Sequence, residues 1–361
     1  MKYFYKHSRA PVEAPNTEIN AAAGRLHRKL LNLKLGQLGI SEYNKRYLGK
    51  RIKNPLWSLQ LYTHILSLAL QGQNKPLRET TLIDYGGGSG MLSLLAKETG
   101  IGTVIYNDIY DVSCSDIERT SKALDIHIDG IVCGDIDELV DHVSENGISV
   151  DTMASYDVIE HIYDIEGYLR RLSALSKPPT RFVFGSGANI KNPYLSRQIA
   201  KIHSNCEFKD REAEWGSKKR DDLRSYLSLR KDIVRKYKPS LSDQEVEHVA
   251  QATRGLIAAD IEKCVDEYAE TGKITYTPDH PSNTCDPNTG NWAEHLIDAD
   301  WLKRILEQEG FRTEILSGYY PSTGSRLRRT AKHALNIGIR LLGSSSLPIA
   351  PCYIICADQT K

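Results

Sequence analysis

Residues 81–90 read TLIDYGGGSG, a short apolar run that ends in an acid and breaks into four glycines within five positions. The run is the length of a buried strand, and MLSLLAKETG (91–100) after it carries helical apolar spacing that closes on Gly100. Strand, glycine turn and helix together form the opening of a βαβ unit. Glycines at such a turn let the backbone bend sharply and let a ligand approach without meeting a Cβ.

The same alternation continues outward. TVIYND (103–108), GIVCGD (130–135), VDTMASYDVI (150–159) and TRFVFGSG (180–187) read as strands. SCSDIERTSKALD (113–125), IDELVDHVSENG (136–147) and DIEGYLRRLSALSKP (164–178) read as the helices between them. Five short apolar strands joined by helices imply right-handed crossovers and a mainly parallel sheet covered on both faces. After a charged helical stretch, alternation resumes with DADWLKRILEQEG (298–310), FRTEILSGYY (311–320) and PCYIICAD (351–358). The predicted fold is α/β: a doubly wound, mainly parallel, seven-stranded sheet. It carries N-terminal helices (1–75), a ligand-binding core (76–190), a helical insertion after the fifth strand (191–285) and a C-terminal part of the sheet (286–361).

Within 1–75, residues 1–16 lack periodicity and are expected to be loosely attached. LHRKLLNLKLGQLG (26–39) and PLWSLQLYTHILSLALQG (55–72) read as amphipathic helices. The insertion is heavily charged and is read as a lid or substrate-recognition element, or equally as a solvated appendage.

Composition bounds the function. Across 361 residues, 47 Lys and Arg stand against 46 Asp and Glu, a net charge of +1. That balance makes nucleic acid an unlikely partner. No run is apolar enough to span a bilayer and MKYFYKHSRAPVEAP lacks a signal-peptide core, so the expected compartment is the cytoplasm. Seven scattered cysteines without a CxxC pair read as reduced core residues.

The glycine loop excludes one ligand class. A pyrophosphate-binding turn needs G-x-G-x-x-G, but from Gly86 the third position falls on Met91, and from Gly87 the second falls on Ser89. The loop fits D-x-G-x-G-x-G through Asp84, Gly86, Gly88 and Gly90. A carboxylate at the strand end suits a ligand with a cationic amino group, such as S-adenosylmethionine. Asp108, ending the second strand, is placed to accept from both ribose hydroxyls, and Ile109 to cover one face of the adenine. Asp135, after the third strand, is placed beside the base, to accept from its exocyclic amine. Ser155 in the fourth strand completes the cofactor set. Each acid alone also fits a turn or a helix cap.

In this order, DYGGGSG, YNDIY, GDI and SYDVIEHIYD resemble the class I S-adenosylmethionine-dependent methyltransferases, in particular the ubiquinone-biosynthesis-like branch (methyltransferase type 11/12). The resemblance covers residues 80–190 and returns at NWAEHLIDADWLKRILEQEGFRTEIL (291–316). It implies in-line transfer of a methyl group to a nucleophilic oxygen, nitrogen or carbon, a reaction driven largely by positioning.

Asp157, Glu160 and His161 follow the fourth strand. On a helix they share one face at i, i+3 and i+4. Three readings stay open: a fold signature bonded to backbone or cofactor, a general base for a hydroxyl, or a site for Mg²⁺ or Mn²⁺ like the E-x-x-E-H of some related methyltransferases, with Asp157 replacing the first glutamate. His280 and His295 flank a polar return loop, where histidines are ordinarily solvated. Tyr43 and Tyr47 are candidate aromatic covers of the cofactor, and Trp57 is expected in the core. Segment 326–343, RLRRTAKHALNIGIRLLG, is basic and amphipathic, suited to a membrane surface, to its own domain or to a homodimer interface. The expected acceptor is a small molecule or glycan, methylated at oxygen. The alternatives are a metal-dependent RNA 2′-O-methyltransferase, a nucleotide-sugar or nicotinamide enzyme, and a non-catalytic binding protein of the same fold.

Overall fold

The computed structural model describes every residue except Met1, Ala10, Val12, 176–178, 212–222 and 360–361. Part of the charged stretch 209–238 therefore lies outside the described residues. The chain divides into two compact units: 1–159 with 165–192 and 298–361, and 160–164 with 193–297.

The first unit opens with helices α1 (Asn16–Asn32), α2 (Glu42–Lys53) and α3 (Pro55–Ala69). Alternation follows through β1 (Thr81–Tyr85), α4 (Met91–Thr99), β2 (Thr103–Asp108), α5 (Asp111–Ala123), β3 (Gly130–Cys133), α6 (Ile136–Glu145), β4 (Thr152–Tyr156), α7 (Ile165–Arg171) and β5 (Thr180–Ser186). The second unit holds α8 (Pro193–Phe208), α9 (Tyr226–Tyr237), α10 (Asp243–Ala252) and α11 (Ala258–Thr271). The first unit resumes with α12 (Ala299–Gln308), β6 (Phe311–Ser317), α13 (Arg326–Leu342) and β7 (Tyr353–Gln359).

The seven strands form one sheet in the order β3-β2-β1-β4-β5-β7-β6. β1 to β5 run parallel, and β7 enters antiparallel between β5 and β6. Strand order reverses between β1 and β4, so a crevice opens at the carboxyl ends of these two strands, where doubly wound sheets bind ligands. The buried run Leu82, Ile83, Asp84, Tyr85 fits a strand covered on both faces.

Four sequence expectations change here. Residues 3–5 are not loose: Tyr3, Phe4 and Tyr5 are buried. Gln60 donates to the Phe4 carbonyl at 3.3 Å, and the Tyr5 ring lies 5.7 Å from His64 and 5.9 Å from Tyr319. The anchors come from distant parts of the chain, which local periodicity does not register. Second, α3 is not amphipathic, because every residue from Ser58 to Ala69 is buried. Third, Trp57 stands at the surface rather than in the core, 36% exposed, with the Arg51 guanidinium 4.6 Å from its ring. The helical run 26–39 also stops at Asn32 and continues as a single 3₁₀ turn, Leu35–Gln37.

The second unit has its own core around Val234, Val246, Val249, Ile261 and Val265. Beside it the wholly buried Arg230 pairs with Glu207 and donates to the Ala250 carbonyl at 2.7 Å, while Thr284 donates to Glu207 at 2.7 Å. A buried charge pair is tolerated only when its remaining donors and acceptors find such partners.

Candidate cofactor and acceptor site

The glycine loop is built for contact. Gly86, Gly88 and Gly90 have φ of +65°, +53° and +72°, the left-handed region that favours glycine. A Cβ on Gly86 would meet Val158 at 2.5 Å, and one on Gly90 would meet Ile117 at 2.0 Å. Gly88 differs: nothing lies within 4 Å of the position its Cβ would take. Two glycines are therefore required by packing, and the third faces open space.

Bonds from below hold the loop. Asp84 is buried, and its Oδ2 accepts from the Ser93 backbone N–H at 2.9 Å and the Ser93 hydroxyl at 2.7 Å. Burial pushes its carboxyl up to about 6, with the Ser93 bonds pulling the other way. Asp84 thus braces β1 against the first turn of α4. The Tyr106 hydroxyl donates to the Gly88 carbonyl at 2.7 Å, and Gly87 N–H donates to the Asn107 carbonyl at 2.8 Å.

Asp108 ends β2 with Oδ2 accepting from Gly88 N–H and Oδ1 from Tyr110 N–H, each at 2.9 Å. The Tyr106 hydroxyl also lies 3.5 Å from Oδ2. Ile109 beside it is 40% exposed, a large apolar side chain presented outward at a strand end. Asn107 ties the neighbouring strand end in place by donating to the carbonyls of Val132 and Gly134, at 3.2 and 3.0 Å. Asp135 caps α6: it accepts from Asp137 N–H at 2.9 Å, while Glu138 accepts from the Asp135 N–H at 2.8 Å. The bland alternative for this acid, a helix cap, is realised. Ser155 is buried within β4.

The aromatic pair on α2 stands near these acids. Tyr43 and Tyr47 have ring centroids 4.8 Å apart, and burial, then Tyr47, Tyr110 and Asp108, raise the Tyr43 hydroxyl well above its usual range. Asp116 of α5 latches α2, accepting from Ser41 N–H at 3.0 Å and Asn44 Nδ2 at 2.9 Å. Sequence reasoning missed this latch and the supporting residues Ser93, Tyr106 and Asn107. Only the polar character of Asn107 within an apolar strand hinted at a role.

The stretch after β4 departs from the expected α-helix. Asp157 is left-handed, φ +55°, and Ile159–His161 is one 3₁₀ turn, so Asp157, Glu160 and His161 do not share a helix face. Asp157 accepts from Gly187 N–H at 2.9 Å, and its own N–H donates to the Gly185 carbonyl at 2.9 Å, tying the end of β4 to the end of β5. Glu160 and His161 belong to the second unit. Glu160 is wholly buried, and its carbonyl accepts from His295 N–H at 3.1 Å. His161 Nδ1 sits 2.9 Å from the Trp292 carbonyl. A carbonyl only accepts, so Nδ1 carries the proton and Nε2 of the neutral ring is the acceptor.

His295 is buried rather than solvated, bonded through Nε2 to Asp279 at 2.8 Å and stacked on Trp292 at 4.0 Å. Burial raises the Asp279 carboxyl, yet the bonds from His295, Asn283 and the His280 N–H hold it below the usual range. His280 Nδ1 lies 2.9 Å from the Ser282 hydroxyl, which also meets the buried His203 at 2.9 Å. Among the described residues, no three His, Cys, Asp or Glu side chains gather as a metal-binding set.

Residues 49–211 match the family model described as a methyltransferase domain. No curated protein matches the chain. Among solved structures, an S-adenosylmethionine-dependent methyltransferase from Archaeoglobus fulgidus is 15% identical, with 77% of this chain and 86% of that chain covered and a TM-score of 0.37. One from Mesorhizobium loti is 13% identical, over 79% of this chain and 93% of that one, with a TM-score of 0.38. A methyltransferase from Haloferax volcanii, solved with a methyltransferase activator, is 12% identical over 88% and 96%, with a TM-score of 0.44. Residues 49–211, under half of the chain, are thus similar to the methyltransferase domain family, and within them the glycine loop stands at the switch point of the seven-stranded sheet.

Proposed function

We propose that this enzyme methylates an oxygen of a small-molecule or glycan-type acceptor, with the cofactor lying across the carboxyl ends of β1, β2 and β3. The observation that carries the cofactor half is the open side of Gly88, whose N–H is held by Asp108 while its carbonyl is held by Tyr106. Bound there, S-adenosylmethionine supplies an electrophilic methyl group on a sulfonium. Asp108, at the end of β2, accepts from the ribose hydroxyls, and Ile109 covers one face of the adenine. Asp135, at the start of α6, accepts from the exocyclic amine. Gly86 and Gly90 shape the loop, Asp84 and the buried Ser155 support it from the sheet, and Tyr43 with Tyr47 closes it from α2.

His161 supports the choice of oxygen. Its Nδ1–H is committed to the Trp292 carbonyl, which leaves Nε2 as the ring atom able to take a proton from a hydroxyl. Asp157 and Glu160 take supporting roles, Asp157 by pinning the β4 and β5 ends together and Glu160 from a fully buried position. The metal-dependent RNA reading is the less favoured, because a left-handed Asp157 and a 3₁₀ turn replace the single helix face its donor triad would share.

The test is an acceptor screen with radiolabelled S-adenosylmethionine, comparing hydroxyl, amine and carbon nucleophiles. Label transferred to hydroxyl compounds, and lost in His161→Ala, supports the reading. Transfer only to nitrogen or carbon, or full turnover in His161→Ala, overturns it.

A further inference from the structure

Helix α13 turns Asn336 and Ile339 inward but leaves three of its four leucines outward. Its inward residues include the buried Asn336, which accepts from Tyr320 N–H at 2.8 Å and donates to the Tyr320 carbonyl at 2.9 Å. Its outward side carries leucines. Leu327 is 82% exposed, Leu341 77% and Leu342 55%, and at 3.6 residues per turn they project together with Ala331 and Ala334. Ile337, at 44%, extends the stripe. A helix at the surface of a water-soluble fold ordinarily shows the reverse pattern.

Cations flank the stripe. Arg326 and Arg340 fall on one edge, Arg328 and Lys332 on the other, and residues 326–343 contain no acid. The N-terminal segment adds to this field. The His7 ring lies 5.9 Å from that of His333, Arg9 donates to the Arg340 carbonyl at 3.0 Å, and a cleft of about 490 Å³ is lined by Lys2, Lys6 and His7. Burial, then Lys6, His7 and Arg329, lower the His333 pKa, as a concentration of positive charge there requires.

We infer that α13 docks on an anionic lipid surface, with its leucines among the acyl chains and its arginines at the headgroup phosphates. Leucines facing outward between two cationic edges match such a boundary, where apolar burial and charge attraction add. A second copy of the chain is a poor occupant, since pairing α13 with itself brings ten cations together and no anion. A nucleic acid backbone would use the arginines and leave the leucines in water.

The experiment is co-sedimentation of the full chain with vesicles of phosphatidylcholine alone, or with about 30% phosphatidylserine, at about 0.1 M NaCl. Sedimentation with the anionic vesicles only, released by high salt, is the expected result. Leu327→Ser/Leu341→Ser and Arg326→Gln/Arg340→Gln should each weaken binding roughly tenfold or more. All these positions are exposed, so circular dichroism and S-adenosylhomocysteine affinity should stay at the wild-type level. Absence of vesicle binding, equal binding to neutral vesicles, or an unaffected leucine variant overturns the proposal. So does a dimer in sedimentation velocity that the leucine variant dissolves, or an RNA complex that needs the arginines but not the leucines.

Discussion

Gly88→Ala and Gly90→Ala look alike in sequence, yet the structure separates them. Both positions are left-handed, at +53° and +72°, so an alanine at either costs about 1–2 kcal/mol of backbone strain. At Gly90 the new methyl would stand 2.0 Å from Ile117 Cδ1. Ile117 is 2% exposed and has little room to turn away, so overpacking adds roughly 1–3 kcal/mol. Gly90→Ala is therefore expected to lose ~2–5 kcal/mol, a fall of order 10 °C in Tm for a domain of this size. At Gly88 the methyl meets nothing in the protein, so only the strain applies and Tm falls by a few degrees. If that open space holds the cofactor, the methyl fills it, and a similar overpacking cost appears as a loss of about 10- to 100-fold in S-adenosylhomocysteine affinity. Thermal unfolding by circular dichroism reads the first quantity and calorimetric titration the second. Wild-type affinity in Gly88→Ala would refute the assignment of the space, and equal destabilisation of the two variants would refute the packing argument.

Asp108→Ala removes the acceptor for Gly88 and Tyr110 N–H together with the proposed ribose contacts, and should cost roughly 2–3 kcal/mol of cofactor binding by calorimetry; an unchanged Kd would sink the ribose role. His161→Ala should lower kcat by about 10²–10⁴-fold while S-adenosylhomocysteine binds as before, since the base acts only on the acceptor. Stability should carry a signature of His64, whose pKa burial lowers from 6.5 to about 4. The unfolded chain then binds the extra proton first, so the stability from keeping His64 neutral is present above about 6.5 and is lost as pH falls toward about 4. Between pH 7 and pH 5, wild type should lose roughly 2 kcal/mol more than His64→Leu in denaturant unfolding. Asp84, raised to about 6, works the other way: protonation favours the fold below about 3.8, and that benefit disappears as pH rises through about 6. It is common to both proteins and cancels in the difference.

The sheet and the loop were legible because their determinants are local. TLIDY followed by GGGSG is a strand breaking at positive-φ glycines, and Asp108 is the last residue of a short apolar run. The same locality left Asp135 ambiguous, since a carboxylate before IDEL caps a helix whether or not a ligand lies nearby. What stayed hidden depends on partners far along the chain. Tyr3, Phe4 and Tyr5 are anchored by α3 and Tyr319, Asp116 latches a helix some seventy residues earlier, and the Trp292 carbonyl fixes the His161 tautomer from 131 residues away. Asp157 leaves the helical pattern for a different reason. Its left-handed backbone stops a helix that its spacing permits, and the bond from Gly187 that accompanies it comes from the next strand. In α13 the spacing was readable but not its direction, because only the tertiary structure shows Asn336 inside and Leu327 outside.

The central claim is that the crevice over the glycine loop holds S-adenosylmethionine, and calorimetric titration with S-adenosylhomocysteine tests it most directly, with NADH and UDP-glucose as controls. One-to-one binding of S-adenosylhomocysteine at micromolar Kd, with no heat from the other two, is expected. Binding of NADH or UDP-glucose in its place, or of none of the three, would contradict it.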